Sequence, residues 1–136
     1  MAYVATDGAA YERSMGRWSR MLADAFLDAC PLPAGAAVLD AGCGTGALSD
    51  AIAQRDATAR ITGVDLGEAF VRAAQARVPA GRFRVGDVTR LDDADAAYDA
   101  ALSLLVLQFV PDRAQAVREM RRVTRPGGLV AAAMWN

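Results

Sequence analysis

The sequence predicts a doubly wound α/β fold with a parallel sheet, and three observations carry that prediction. Short apolar runs alternate with amphipathic segments along the chain, the pattern of strands joined by crossover helices. Three of the runs close on an aspartate, at Asp40, Asp65 and Asp87. After the first of them, Gly42, Gly44 and Gly46 alternate with small residues ahead of a helix-forming segment. A strand, a turn stripped of side chains and a helix N-terminus together make a nucleotide-type cofactor cradle. Glycine admits positive φ and close approach of a ligand to the backbone, and a helix start leaves N–H groups without intrahelical partners, free to meet what lies in the turn.

The elements follow in order. From Tyr11 to Ala29 the apolar residues Tyr11, Met15, Trp18, Leu22, Phe26 and Ala29 recur at helical spacing, which predicts one buried stripe on a helix. Pro31 and Pro33 end it and lead into a first strand over Ala36–Ala41. A helix over Gly46–Arg55, a strand over Arg60–Asp65, a helix over Gly67–Arg77 and a short strand over Arg82–Asp87 come next. Leu91–Asp95 reads as a solvated acidic loop. The run from Tyr98 to Leu105 is apolar on both faces, as a central parallel strand should be. Pro111 and Asp112 open a helix through Val123 whose Arg118, Arg121 and Arg122 read as a solvated face. Arg125–Gly128 predicts a sharp turn, and Leu129–Met134 a fifth strand.

Composition narrows the function classes. The chain has 136 residues, 15 basic and 16 acidic, for a formal net charge of −1. That balance argues against nucleic acid as a partner, since phosphate binding calls for a surplus of basic charge. There is no histidine, which excludes imidazole acid–base catalysis and His-ligated metal, so no metal site is expected. Cys30 and Cys43 suggest neither a disulfide framework nor a zinc site. No apolar run approaches the roughly 20 residues of a membrane span, and Met1–Asp7 lacks the basic start and apolar core of a signal peptide. The expectation is a cytoplasmic protein without a membrane partner.

Asp40, Asp65 and Asp87 fall at the carboxyl ends of strands expected to be neighbours, the edge where open α/β sheets bind ligands. Asp65 stands 23 positions after Gly42, the offset of an acid that takes hydrogen bonds from ribose hydroxyls. Asp87 can accept from an adenine amino group, with Val88 against the ring. The competing reading, a nicotinamide-binding domain, spaces its glycines as G-x-G-x-x-G after an uncharged strand end. Here the order is D-x-G-x-G-x-G.

Through Val38–Gly46, Gly63–Phe70, Val85–Leu91, Tyr98–Asp112 and Arg118–Gly128, and weakly through Tyr11–Arg20, the chain resembles class I S-adenosylmethionine-dependent methyltransferases of the small-molecule type. The resemblance implies a Rossmann-like doubly wound parallel sheet in the order 3-2-1-4-5. Residues 1–35 would form an N-terminal helix and connector, and residues 36–136 the cofactor-binding core. It implies S-adenosylmethionine as cofactor and a small-molecule methyl acceptor. Gly42 and Gly44 would lie under the methionine part, with Cys43 between them, and Asp40 would orient the turn and the ammonium. Asp65, followed by Leu66, would hold the ribose, and Asp87 with Val88 the adenine. Ser103 and Leu104 would face the methyl-donating sulfur. Tyr11, Arg17 and Trp18 are candidates for a lid over the pocket.

Two departures from the family pattern stand out. Where relatives often carry histidine after the fourth strand, this chain has Leu107-Gln108-Phe109-Val110, and an amide orients an acceptor without acting as a base. The family's usual final antiparallel strand pair is also missing, which leads to the expectation of a truncated sequence, or of self-association through a bare fifth-strand edge. The competing function is a non-catalytic nucleotide-fold module that binds the cofactor or a partner protein without turnover.

Overall fold

In a computed structural model of the chain, residues 16–135 are described. They form helix α1 (Arg17–Asp28), strand β1 (Ala37–Ala41), α2 (Ala47–Arg55), β2 (Arg60–Asp65), α3 (Glu68–Arg77), β3 (Arg82–Val85), β4 (Tyr98–Leu104), α4 (Arg113–Val123) and β5 (Thr124–Ala133), with a 3-10 turn at Leu107–Phe109 before α4. The strands make one sheet in the order β3-β2-β1-β4-β5, and every pairing is parallel. The expected topology is therefore present.

Alternation along the strands splits the core into two layers. Val38, Ala100 and Leu102 share one layer with Ala23 and Leu27 of α1 and Leu48 and Ile52 of α2. Leu39 and Ala101 share the other with Ala116, Met120 and Val123 of α4. Leu39, Ile52, Leu102 and Met120 are almost wholly buried, and each such side chain contributes about 1.5–3 kcal/mol through removal from water. The Asp112 carboxylate caps α4 by accepting from the Gln115 N–H at 3.1 Å. Far from the glycine turn, Asp99 ties three strands at their ends. It accepts from the Ala37 N–H at 2.8 Å and from Arg125 Nε at 2.7 Å. Among the described residues no helix is long and apolar enough to cross a membrane.

Several local expectations are corrected. The buried stripe of α1 is Ser19, Ala23 and Leu27, one position removed from the expected Trp18, Leu22 and Phe26. Trp18 is 53% exposed. Serine and alanine at the contact let the helix approach closely, while the bulkier residues flank it. Tyr11 and Met15 lie outside the described residues. Strand β3 stops at Val85, two residues short of Asp87, because β2 offers no pairing partner beyond Asp65. The expected turn at Arg125–Gly128 is a bulge inside β5: Thr124 pairs with Tyr98, and pairing resumes at Leu129 with Ala100. Gly128 is required there, since a Cβ would lie 2.5 Å from the Asp99 carbonyl oxygen.

The acidic loop is not simply solvated. Asp93 is largely buried and accepts from Arg84 Nη2 and from the Tyr98 hydroxyl. Arg122 of α4, read as a solvated face, instead reaches back to this loop. Its guanidinium donates to Asp95 at 2.8 Å and to the carbonyls of Asp93 and Leu91 at 2.8 and 3.0 Å.

Candidate functional site

The glycine turn sits where β1 ends, and β2 holds it from the side. The Gly42 and Cys43 N–H groups both donate to the Val64 carbonyl, at 2.8 and 2.9 Å. The Gly44 N–H donates to Asp65 Oδ2 at 2.9 Å, and the Gly67 N–H to Asp65 Oδ1 at 2.8 Å. Gly46 N–H closes the turn onto the Cys43 carbonyl at 2.9 Å. The expected row of free N–H donors is thus largely used within the fold. A pyrophosphate seeks such donors, and this turn has committed them elsewhere.

The charge of the site points the same way. Asp40 is 1% exposed and accepts from the Ser49 hydroxyl at 2.7 Å. Burial pushes its carboxyl up to about 7; the Ser49 bond opposes the rise, and the neighbouring Asp65 carboxylate adds to it. Asp65 is raised as well, by burial against the opposing bonds from the Gly67 and Gly44 N–H groups. Cys43 is buried between them, and burial first, then Asp40 and Asp65, keep its thiol protonated. Two carboxylates in a poorly solvated pocket favour a ligand carrying positive charge.

A cavity of about 220 Å³ opens over the turn. Asp40, Gly42, Cys43, Gly44 and Thr45 form its floor, Asp65, Leu66, Phe70, Gly86 and Val88 one side, and Leu104–Val106 with Gln108–Val110 the other. Two glycines of the floor are needed for different reasons. A Cβ on Gly42, at φ +77°, would lie 2.4 Å from Val106 Cγ1, so the fold itself forbids it. A Cβ on Gly44, at φ +52°, would meet nothing within 4 Å. The space above Gly44 is open.

The cavity gathers Asp40, Gly42, Cys43, Gly44, Asp65, Leu66, Val88 and Leu104 of the residues expected there. Asp87 stands outside the lining, exposed, its Oδ1 accepting from the Thr89 N–H and hydroxyl at 2.8 and 2.7 Å. Those bonds, the hydroxyl first, hold its carboxyl below the usual range. Ser103 is fully buried, and its hydroxyl has no partner among the described residues; it lies behind the wall rather than in it. Of α1, Ser19 lines the cavity, whereas Arg17 and Trp18 are exposed outside it. Tyr11 lies outside the described residues. Among the described residues no group of three Asp, Glu, Cys or His side chains gathers as metal ligands.

Three features escaped sequence reasoning. Ser49, on the first turns of α2, is the hydrogen-bond partner of Asp40; its position nine residues on, facing the strand end, was the available signal. Leu105 takes φ +60°, a left-handed conformation that a leucine adopts only at a cost. It is held by its N–H on the Ala133 carbonyl at 2.7 Å and by Gln108 Nε2 on its own carbonyl at 2.9 Å. Trp135 also reaches the cavity wall.

Comparison with known proteins places this geometry. Residues 39–132 match a family model described as a methyltransferase domain. The chain is 44% identical over 96 residues to a malonyl-[acyl-carrier protein] O-methyltransferase of Pseudescherichia vulneris, covering 71% of this chain and 38% of that protein. It is 36% identical over 112 residues to a trans-aconitate 2-methyltransferase of Variovorax paradoxus, covering 82% and 43%. Among solved structures, an S-adenosylmethionine-dependent methyltransferase from Mesorhizobium loti superimposes with a TM-score of 0.70 at 28% identity, over 79% of this chain and 50% of that one. The chain therefore spans about two fifths of the length of these curated relatives.

Proposed function

Because the chain belongs to the methyltransferase-domain family of class I S-adenosylmethionine-dependent enzymes, we propose that it binds S-adenosylmethionine in the cavity over the glycine turn and serves methyl transfer to a small-molecule acceptor. The observation that carries this reading is the buried Asp40 carboxyl and the half-buried Asp65 carboxyl flanking a turn whose N–H groups are largely engaged. Such a site suits a cationic, phosphate-free ligand. The open space above Gly44 supports the fit.

In this reading each group has a task. Asp40 and the floor residues Gly42, Cys43 and Gly44 receive the methionine end, with Asp40 facing its ammonium. Asp65 fixes the turn through one lone pair on each oxygen and keeps its others for ribose hydroxyls; Leu66 covers that end. Val88 lies against the adenine, and Asp87 beside it is the group for the adenine amino, which it would meet only by turning from its Thr89 bonds. Leu104 borders the reacting region, and Ser103 supports it from behind. The bound cofactor supplies a methyl group already activated on a sulfonium. The chain's remaining work is alignment, worth roughly 7–11 kcal/mol in favourable systems. The non-catalytic alternative has less support, since both curated relatives are named for methyl transfer.

Calorimetry with S-adenosylmethionine and S-adenosylhomocysteine tests the reading, and binding of both is expected. Failure to bind either would sink it. Asp65→Ala should weaken both by about tenfold or more, and an unchanged affinity would remove Asp65 from the ribose.

A further inference from the structure

Past β3 the chain leaves the sheet. The Gly86 N–H donates to the Asp65 carbonyl at 3.0 Å, and among the described residues no strand pairs with the chain between there and Tyr98. One face of α4 holds this segment instead. Gln115, Glu119 and Arg122 stand at i, i+4 and i+7, the spacing of a single helical face, and all three are half-buried. Gln115 Nε2 donates to the Thr89 carbonyl at 3.1 Å, and the Leu91 N–H donates to Glu119 Oε1 at 3.0 Å. Arg122 Nη2 donates to the Leu91 carbonyl at 3.0 Å, while its Nε donates to Glu119 Oε2 at 2.6 Å. One ion pair thus meets both polar groups of the Leu91 backbone, through charge-assisted bonds roughly twice as strong as neutral ones. The apolar side chains follow. Val88 and Leu91, each 7% exposed, pack in the same layer as Ala116 and Met120 of α4, and Val88 is also part of the cavity wall.

We propose that Gln115, Glu119 and Arg122 are positioning residues for the adenine end of the cofactor, holding the Thr89–Leu91 backbone so that Val88 keeps its place in the cavity wall. This deepens the cofactor reading above and rests on it. None of the three lines the cavity, so they act through Val88 and not on the ligand. Their bonds fix the segment before any ligand arrives, and a wall set in advance spares binding the cost of ordering it. Without them the segment is tied at Gly86 and, through Arg84 and Tyr98, at Asp93. The ordering of Val88 between those points then falls to cofactor binding.

A double-mutant cycle on S-adenosylhomocysteine affinity tests the assignment, each full-length chain being titrated calorimetrically well below its unfolding transition. Glu119→Ala and Val88→Ala are each expected to weaken binding about fivefold or more. Glu119→Ala added to Val88→Ala is expected to cost about twofold or less, since the contact it positions is already gone. A general loosening of the fold would multiply the two losses instead. Arg121→Ala, at an exposed position of the same helix, should bind as the wild type does. If Glu119→Ala does not fold, Gln115→Ala, which strands no charge, takes its place in the cycle, with a loss of about threefold that vanishes in the Val88→Ala chain. The proposal is overturned if the α4 variant or Val88→Ala keeps the wild-type affinity, if their losses multiply in the double variant, or if Arg121→Ala loses as much as they do. Failure of the wild type to bind removes the cofactor reading and this one with it; binding by the wild type with independent losses removes this one alone.

Discussion

Replacing Asp40 by asparagine should make the chain less sensitive to pH, and the size of the effect follows from the structure. Asp40 is buried at the end of β1 with its carboxyl raised to about 7. In the unfolded chain it titrates near 4. The folded state therefore holds the proton more tightly. This favours folding fully below about pH 4, and the advantage is lost as the pH rises through about 7. Between pH 5 and pH 8 the loss amounts to about 2–3 kcal/mol. Asparagine keeps the shape and can still accept from the Ser49 hydroxyl that now bonds Oδ2, but it carries no charge at either pH. Urea unfolding of both chains at the two pH values, followed by tryptophan fluorescence, gives the comparison. The wild type should lose about 2–3 kcal/mol more than Asp40→Asn on going to pH 8. Equal losses in the two chains would refute the claim that Asp40 is a strained charge in this site.

Three further outcomes are expected. Gly42→Ala should destabilise the chain by about 2 kcal/mol or more, through the 2.4 Å approach to Val106 and the positive φ; Gly44→Ala should cost only about 1 kcal/mol of stability yet weaken S-adenosylhomocysteine binding. Denaturation and calorimetry on both variants check this, and equal effects on folding would count against open ligand space over Gly44. Asp93→Ala should cost about 2–3 kcal/mol by stranding Arg84 and the Tyr98 hydroxyl, while Asp92→Ala, at an exposed neighbour, should stay within about 0.5 kcal/mol of wild type. Asp65→Asn should lower thermal stability as well as cofactor affinity, because one of its two N–H partners, Gly44 or Gly67, would then face an amide NH₂.

The fold and the floor of the site were legible in the sequence because they rest on periodicity and on residue types with few uses. Alternating runs specify strands, and aspartates ending apolar runs specify a sheet edge, so Asp40 and Asp65 could be read directly, while the order of the five strands came only through the family resemblance. What failed to show was set by distance in three dimensions. Whether Trp18 or Ser19 faces inward depends on how closely α1 approaches its neighbours, which spacing alone does not report. Asp93 looked like one acid in a polar loop, and only the fold brings Arg84 and Tyr98 to it. The pattern of acids points the Asp65 oxygens at a ligand, and each is also met by a backbone N–H; such a pattern says where charge lies and not how many of its bonds are spent.

The conformation of Leu105 bears on what keeps the wall after β4 in place. Its backbone is held at φ +60° by two hydrogen bonds, one to β5 and one from Gln108. A leucine relaxing to negative φ recovers about 1 kcal/mol, which multiplies the population of the relaxed loop by about fivefold. The wall after β4 is thus held in place by hydrogen bonds from outside its own segment and from within it, and its shape depends on β5 keeping the Ala133 carbonyl within reach of the Leu105 N–H.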